Sequence, residues 1–594
     1  MEITRIFDLL ERHVKQYNKP DALASKVNRE WVKISSREYQ EKSNLLSYAF
    51  LALGLQKGDR VTVITNNRYE WNFVDMGASQ IGLITVPIYP TISVEEYEYI
   101  LGHAEPTIIF IADNALMKKL KPVIAKIPTI KNTYTFDEIE GEEIWTVLLD
   151  LGKQHADQYA PEVENRKKSI QPDDMFTMIY TSGTTGFPKG VMLSHRNLVS
   201  NCIATSTVHP FGAESKCLSF LPLSHIYERM LNYHYQYKGI SIYYAQSMVT
   251  IIDDLKDVKP DLFSTVPRLL ERVYDGILQK GKDLSYLKKQ IFFWAVNLGL
   301  KFKLHGGNSW FYKIRHRVAD KLIFSKWREA LGGNTKVIVS GGAALQPRLA
   351  TIFWAADIKV LEGYGLTETS PVIAVNNLVT GQVMVGTVGP PIEKVEVKIA
   401  DDGEILCKGP NVMLGYYKAP DLTKEVIDED GWFHTGDIGV IVDNTYLKIT
   451  DRKKEIFKLS SGKYVAPQVI ENRFKESLFI EQIMVVGENE KFASALISPN
   501  FEFLHSWCFL HNVKFKDNKE LINIPKVIER YQREVNELNK GLAFHEQIKR
   551  FRLVCDEWSP QTGELSPTLK LKRRFLYKKY DSILKEIFSA GGGK

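Results

Sequence analysis

The residues best suited to chemistry gather in a few short runs. The densest is Tyr180–His195, YTSGTTGFPKGVMLSH, which sets Thr181, Ser182, Thr184 and Thr185 among Gly183 and Gly186 and places Lys189 near its end. Glycines permit positive φ, so several backbone N–H groups can converge on one anion; the hydroxyls add donors and the lysine adds a point charge. Such a loop suits phosphate. It is not the hydrolase pattern G-x-x-x-x-G-K-[ST], because the sixth residue from Gly183 is Pro188 and Lys189 is followed by Gly190. In GYGLTETS (Gly363–Ser370), Tyr364 offers a flat face to a purine, its flanking glycines keep the backbone close, and Thr367 and Glu368 supply hard oxygens for Mg²⁺ beside a triphosphate. In HTGD, Asp437 is a carboxylate that can accept from both hydroxyls of a ribose.

The elements that must position these runs follow from the apolar patterning. GDRVTVITNN, WNFVDMGASQIGLITVPIYP and YILGHAEPTIIFIADN alternate short apolar strands with helical segments, and similar units recur at DMFTMIY, DLFSTVP, NTKVIVSGG and IKVLEGYG. This predicts mainly parallel sheets, several of whose strands end in Gly, Ser or Thr, where open α/β sheets bind ligands. After about Pro371 turn dipeptides and short β-rich runs predict a small barrel or sandwich, and from Asp451 an α+β pattern follows. The fold class is therefore α/β: a larger first part (1–450), β-rich over about 371–450, then an α+β part (451–594). Within the first, about 274–333 is a Lys-, Phe- and Trp-rich insertion. It reads as a helical pair packed on the domain, or as a basic-aromatic face that touches membrane or shapes a lipid tunnel.

Composition bounds the function. The chain has 594 residues, 44% hydrophobic and 25% charged, which permits a large core and more than one domain. A net charge of +6 suits anionic ligands or loose contact with anionic lipid but is too weak to argue for nucleic acid. The five cysteines are scattered without metal-ligand spacing, as in a reduced, intracellular protein. The start lacks a signal peptide's apolar core, and no run approaches the roughly 18 apolar residues of a membrane span. The expected location is cytoplasmic, with peripheral contact at the inner face of a membrane and a homodimer both left open.

YTSGTTGFPKGV resembles the phosphate-loop signature of the adenylate-forming enzymes, which include acyl-CoA synthetases, luciferases and peptide-synthetase adenylation domains. Six further signatures stand in the family's order: LPLSHIYER, SGGAAL, EGYGLTETS, GWFHTGD, DRKKEIFKLSSGKYVAP and SPTLKLKR. The resemblance spans about Asp21 to Arg574 and implies a large N-terminal domain (1–450) of two α/β subdomains plus a small β-barrel (about 371–450), followed by a mobile α+β C-terminal domain (451–594). It implies that Thr181, Ser182, Gly183, Thr184, Thr185, Gly186 and Lys189 hold the phosphates of ATP, with Thr184 also in the catalytic set. It implies that Gly341, Gly342 and Ala343 line the adenine pocket with Tyr364 and Gly365, that Thr367 and Glu368 hold Mg²⁺, and that Asp437 and Arg452 contact the ribose. Asp451 resembles the hinge about which a mobile C-terminal domain swings, and Gly462 the glycine on the coenzyme A path. PTLK places the family's mobile lysine at Lys570, although Leu569 stands where many members have glycine. His225 resembles the residue between acyl pocket and phosphate. Some long-chain members carry a gating tryptophan four residues later; here that residue is Arg229.

The spelling PLSHIYER and the inserted segment look most like the long-chain fatty acid branch. The resemblance implies an AMP-forming long-chain fatty acid–CoA ligase using ATP, Mg²⁺ and coenzyme A. The alternative is a fatty acyl-AMP ligase that delivers acyl groups to a carrier protein.

Overall fold

Short, mainly apolar strands are buried along their whole length, as Ile108–Ile111, Leu262–Thr265 and Val337–Ser340 are in the computed structural model. Strands of this kind belong to parallel sheets covered on both faces. The structure describes residues 2–181, 188–247, 250–453, 455–559, 562–566 and 570–589. The chain divides into two compact units. The first takes 1–398, 406–435 and 441–447; the second takes 399–405, 436–440 and 448–594.

In the first unit a seven-stranded sheet runs from Gly415–Tyr416 through Lys189–Ser194, Met175–Thr181, Ile84–Ile88, Arg60–Ile64 and Ile108–Ile111 to Asn132–Thr135. Its last five strands are parallel, while Met175–Thr181 and Lys189–Ser194 pair antiparallel with Thr181 opposite Lys189. An eight-stranded sheet runs from Val372–Val375 through Lys359–Gly365, Val337–Ser340, Leu262–Thr265, Lys216–Ser219, Ser241–Tyr244 and Leu23–Val27 to Glu30–Ile34. Its six inner strands are parallel and both edge strands antiparallel.

Helix ends are set by local chemistry. Ser35 and Glu38 close a reciprocal capping box on Ser36–Ala52. Ile226–Lys238 starts at His225, whose ring accepts from the Tyr227 N–H, and stops at Gly239 in the left-handed conformation. The inserted region is more helical than the pair expected from its periodicity. It comprises Pro267–Lys282, Tyr286–Gly299, Trp310–Ala319 and Ser325–Ala330, with a wider π-type turn at Asp320–Phe324. Phe292, Ala295, Phe324 and Trp327 anchor it in a core shared with Phe263, Ile338 and Phe353.

The second unit has a three-stranded sheet, Ile480–Val486, Ser494–Pro499 and Arg550–Leu553, paired antiparallel and then parallel. Its core gathers Ile483, Val485, Ile497 and Phe551 with Val527 and Tyr531 from the helix Pro525–Asn539. Among the described residues no helix is long and apolar enough to cross a membrane.

Candidate active site

The residues singled out from the sequence fall into two groups, one in each unit. In the first unit, Ser182, Gly183, Thr184, Thr185 and Gly186 lie outside the described residues, and the structure places the two ends of their loop. Thr181 and Lys189 are strand partners, so the register of one hairpin fixes where the lysine begins. The Lys189 ammonium stands 4.8 Å from the centre of the Tyr416 ring. The Tyr416 hydroxyl donates to Glu368 Oε1 at 2.8 Å. Tyr416 reaches this place because Gly415–Tyr416 is an edge strand paired with Lys189–Ser194, Tyr416 opposite Val191. Burial, then the adjacent Glu368 carboxylate, pushes the Tyr416 phenol well above its ordinary range, so it stays a hydrogen-bond donor. One tyrosine thus holds together the phosphate-loop lysine and the carboxylate offered for Mg²⁺. Sequence reading gave Tyr416 no role.

Gly341–Ala343 follows Val337–Ser340, and Tyr364 stands one residue before the end of the neighbouring parallel strand, with Ser340 opposite Glu362. The turn and the tyrosine therefore sit at the carboxyl ends of adjacent strands, the position at which α/β sheets bind ligands. Gly342 takes φ +80°, and a Cβ on Gly341 would press on the Tyr227 ring at 3.0 Å. A Cβ on Gly365 would fall 1.7 Å from the Pro371 carbonyl oxygen, so only glycine fits beside the tyrosine. Thr367–Thr369 forms a single tight turn, held by the Leu366 N–H donating to Thr369 Oγ1 at 2.9 Å. Glu362 is buried beneath this region and accepts from the Gly386 N–H at 3.2 Å. Burial pushes its carboxyl up to about 8, against the opposing backbone donors of Gly386 and Leu345. At neutral pH Glu362 is therefore largely protonated, a neutral strut.

His225 caps its helix through Nδ1, which accepts from the Tyr227 N–H at 3.1 Å and so leaves the neutral ring's proton on Nε2. Its ring lies 6.5 Å from that of Tyr89. One turn on, Arg229 is fully buried and pairs with Asp75; its Nε donates to Tyr233 at 2.8 Å and its Nη2 to Thr85 Oγ1 at 2.6 Å. The guanidinium also lies between the Trp71 and Phe176 rings at 5.0 and 4.8 Å. A side chain committed in this way ties elements together and does not swing. Neighbouring Glu228 accepts from Ser219 and Ser264, and burial pushes it up to about 7.

In the second unit, Asp437 and Arg452 come from paired hairpin strands, with Arg452 Nε 3.4 Å from Asp437 Oδ1. The strand backbone just before Asp437 is pinned by Glu404, which accepts from the Gly436 N–H and from the Lys453 ammonium, both at 2.8 Å. Glu404 is a second residue that sequence reading passed over. Asp451 is buried, accepts from the Arg452 N–H at 2.6 Å, and is pushed up to about 7 chiefly by burial. Gly462, at φ +83°, closes the hairpin between Phe457–Lys458 and Tyr464–Val465. Lys570 is exposed, and its N–H donates to Ser566 Oγ at 3.1 Å. Of its basic neighbours, Arg573 grips Glu471 with Nη2 at 2.7 and 2.8 Å and Glu455 with Nε at 3.1 Å. That side chain is spent on structure.

Among the described residues no three His, Cys, Asp or Glu cluster closely enough to hold a metal by themselves. Thr367 and Glu368, adjacent on one tight turn, offer a hydroxyl and a carboxylate, hard oxygen donors of the kind that suits Mg²⁺.

The fold and these groups define an adenylate-forming enzyme. The AMP-binding enzyme family matches residues 10–417, and the AMP-binding enzyme C-terminal domain matches 454–591. The chain belongs to this family. It is 31% identical to the long-chain-fatty-acid–CoA ligase FadD15 of Mycobacterium tuberculosis over 94% of this chain and 93% of that protein. It is also 31% identical to the long-chain-fatty-acid–CoA ligase 1 of Homo sapiens, over 99% and 87%. Among solved structures, the adenylation domain of a carboxylate reductase from Mycobacterium chelonae superposes with TM-score 0.75 at 22% identity, covering 98% of this chain and 91% of that one. ATP-bound MatB from Rhodopseudomonas palustris gives 0.72 at 21%, covering 98% and 100%.

Proposed function

We propose that this chain is an AMP-forming long-chain fatty acid–CoA ligase that uses Mg·ATP and coenzyme A. The observation that carries the reading is its 31–34% identity, over most of its length, to curated long-chain ligases from bacteria, plants and animals. In the first step a carboxylate oxygen of the acid attacks the α-phosphorus, the bond to the β-phosphate oxygen breaks, and pyrophosphate leaves an acyl-adenylate. In the second the thiolate of coenzyme A attacks the acyl carbonyl carbon and AMP departs. The carrier-protein alternative is not favoured, since the named relatives are coenzyme A ligases.

Residue roles within this reading follow charge. Attack of one anion on another is opposed by repulsion, and fixed cations near the developing charge lower that barrier. Lys189, steadied over Tyr416, faces the β- and γ-phosphates with the loop 181–186, while Thr367 and Glu368 hold Mg²⁺. Tyr364 stacks on adenine against the turn Gly341–Ala343, and Asp437 with Arg452 takes the ribose. His225 stands between acyl chain and phosphate. Lys570 bridges carboxylate and α-phosphate in the first step; a swing of residues 451–594 about Asp451 removes it and brings the Gly462 hairpin to the coenzyme A path. The test is ATP-dependent thioester formation across saturated acids of increasing length. Turnover per unit KM should rise toward long chains, and a preference for acetate or an aromatic acid would refute the assignment.

A further inference from the structure

The helices of the inserted segment carry a surface that the reaction does not use. From Leu284 to Ala319 the chain has seven Lys and Arg residues and no Asp or Glu. The helices Tyr286–Gly299 and Trp310–Ala319 within it lie side by side and antiparallel. The Tyr312 hydroxyl donates to the Leu298 carbonyl at 2.9 Å, and the Arg315 guanidinium stands 5.6 Å from the Trp294 ring centre. One face of Trp310–Ala319 is spent inward, with Ala319 buried and His316 Nε2 donating to the Ala355 carbonyl at 2.7 Å. The other face is apolar and open: Trp310 is 73% exposed, Phe311 59%, Ile314 44% and Val318 47%.

At about 100° per residue those four side chains share an arc of roughly 100°. Lys313 and Arg317 flank one edge and Arg315 the other, all exposed. An apolar stripe between two cationic rims wants a partner that is apolar in depth and anionic at its surface. A second copy packed about a two-fold axis would set this acid-free patch against itself, cation facing cation. A bilayer with anionic headgroups meets both demands.

We propose that the helix Trp310–Ala319 lies in the interface of an anionic lipid bilayer. Trp310, Phe311, Ile314 and Val318 enter the acyl region, and Lys313, Arg315 and Arg317 meet headgroup phosphates. This rests on the ligase reading only for its purpose, since a long-chain acid partitions into membranes; the contact itself stands on the surface chemistry.

The test is co-sedimentation of the full chain, without ATP or acid, with phosphatidylglycerol–phosphatidylcholine vesicles and with phosphatidylcholine vesicles alone. The wild type should pellet with the mixed vesicles and bind the neutral ones at least about tenfold more weakly. Trp310→Ser with Phe311→Ser should weaken binding to the mixed vesicles about tenfold or more, and Lys313→Glu with Arg317→Glu should do the same. Both pairs sit on the surface, and unchanged circular dichroism and unchanged thioester formation from water-soluble octanoate would show that the variants fold. A wild type that stays in the supernatant with mixed vesicles, or variants that pellet like it, would overturn the proposal. So would a dimer in sedimentation velocity that the same substitutions dissolve, since that gives the face to a second copy. A chain that binds vesicles but makes no acyl-CoA would refute the ligase reading alone.

Discussion

Tyr416 donates its hydroxyl to Glu368 at 2.8 Å while its ring supports Lys189, so an edge strand of two residues couples the phosphate-loop lysine to the carboxylate of the TET turn. Without the hydroxyl, Glu368 loses the donor that orients it, and a hydrogen bond to a charged group is worth about 1.5–3 kcal/mol. Tyr416→Phe should therefore cut ATP–pyrophosphate exchange by roughly tenfold or more and raise the Mg²⁺ concentration for half-maximal rate. Thioester formation from supplied acyl-adenylate should be spared. An unchanged Mg²⁺ dependence would remove Tyr416 from the site.

Arg229 tests the buried tie that stands where some relatives place a gating tryptophan. Truncating it to Met strands Asp75 in the core, which should cost about 3–5 kcal/mol in urea unfolding. Pairing Arg229→Met with Asp75→Leu should restore much of that loss. A single variant as stable as the wild type, with altered chain-length preference, would instead mark Arg229 as a gate.

Glu362 gives a pH signature. Its ordinary value is 4.5 and its value in the fold about 8. Between those limits the native chain holds a proton that the unfolded chain has released. The contribution is full below pH 4.5 and is lost as pH rises through 8. Glu362→Gln mimics the protonated form, so the variant should gain on the wild type across this window, by on the order of 4 kcal/mol at pH 8. Parallel stability profiles for the two proteins would contradict the protonated strut.

Asp451→Pro restricts φ at the position given the hinge role. Adenylation should persist while thioester formation falls by at least about tenfold, on the estimate that a blocked domain swing limits the second step. Equal loss in both steps would count against the hinge.

Much of this was legible in the sequence because its determinants are local. Glycine at 342 and 365 answers a positive φ and the nearby Pro371 carbonyl, and the apolar runs before Thr181 and Gly341 announce strands whose carboxyl ends lead into candidate site residues. Contacts closed by topology were not legible. Tyr416 meets Glu368 across 48 residues and Glu404 meets Gly436 across 32. Nothing in GYYKAP or DDGEIL announces either contact. Glu362 did carry a signal, a lone acid at the end of the apolar run KVLE, and Asp75 within WNFVDMGAS another. Each marks a buried acid; neither names its partner. The helical pair expected near 274–333 became four helices, because connections at 283–285 and 300–309 and the π-type turn at Asp320–Phe324 interrupt the 3.6-residue repeat that the periodicity assumes.

The central claim is that one active site carries a long-chain acid from carboxylate to coenzyme A thioester through its adenylate. The direct measurement is a quantitative product analysis with palmitate, Mg·ATP and coenzyme A, for the wild type and for Lys570→Ala. The account predicts palmitoyl-CoA, AMP and pyrophosphate in equal amounts from the wild type. It predicts that Lys570→Ala makes almost none of them from palmitate, yet still converts supplied palmitoyl-adenylate to palmitoyl-CoA. Palmitoyl-adenylate that accumulates and passes only to a carrier protein, or a Lys570→Ala chain equally impaired in both steps, would contradict it.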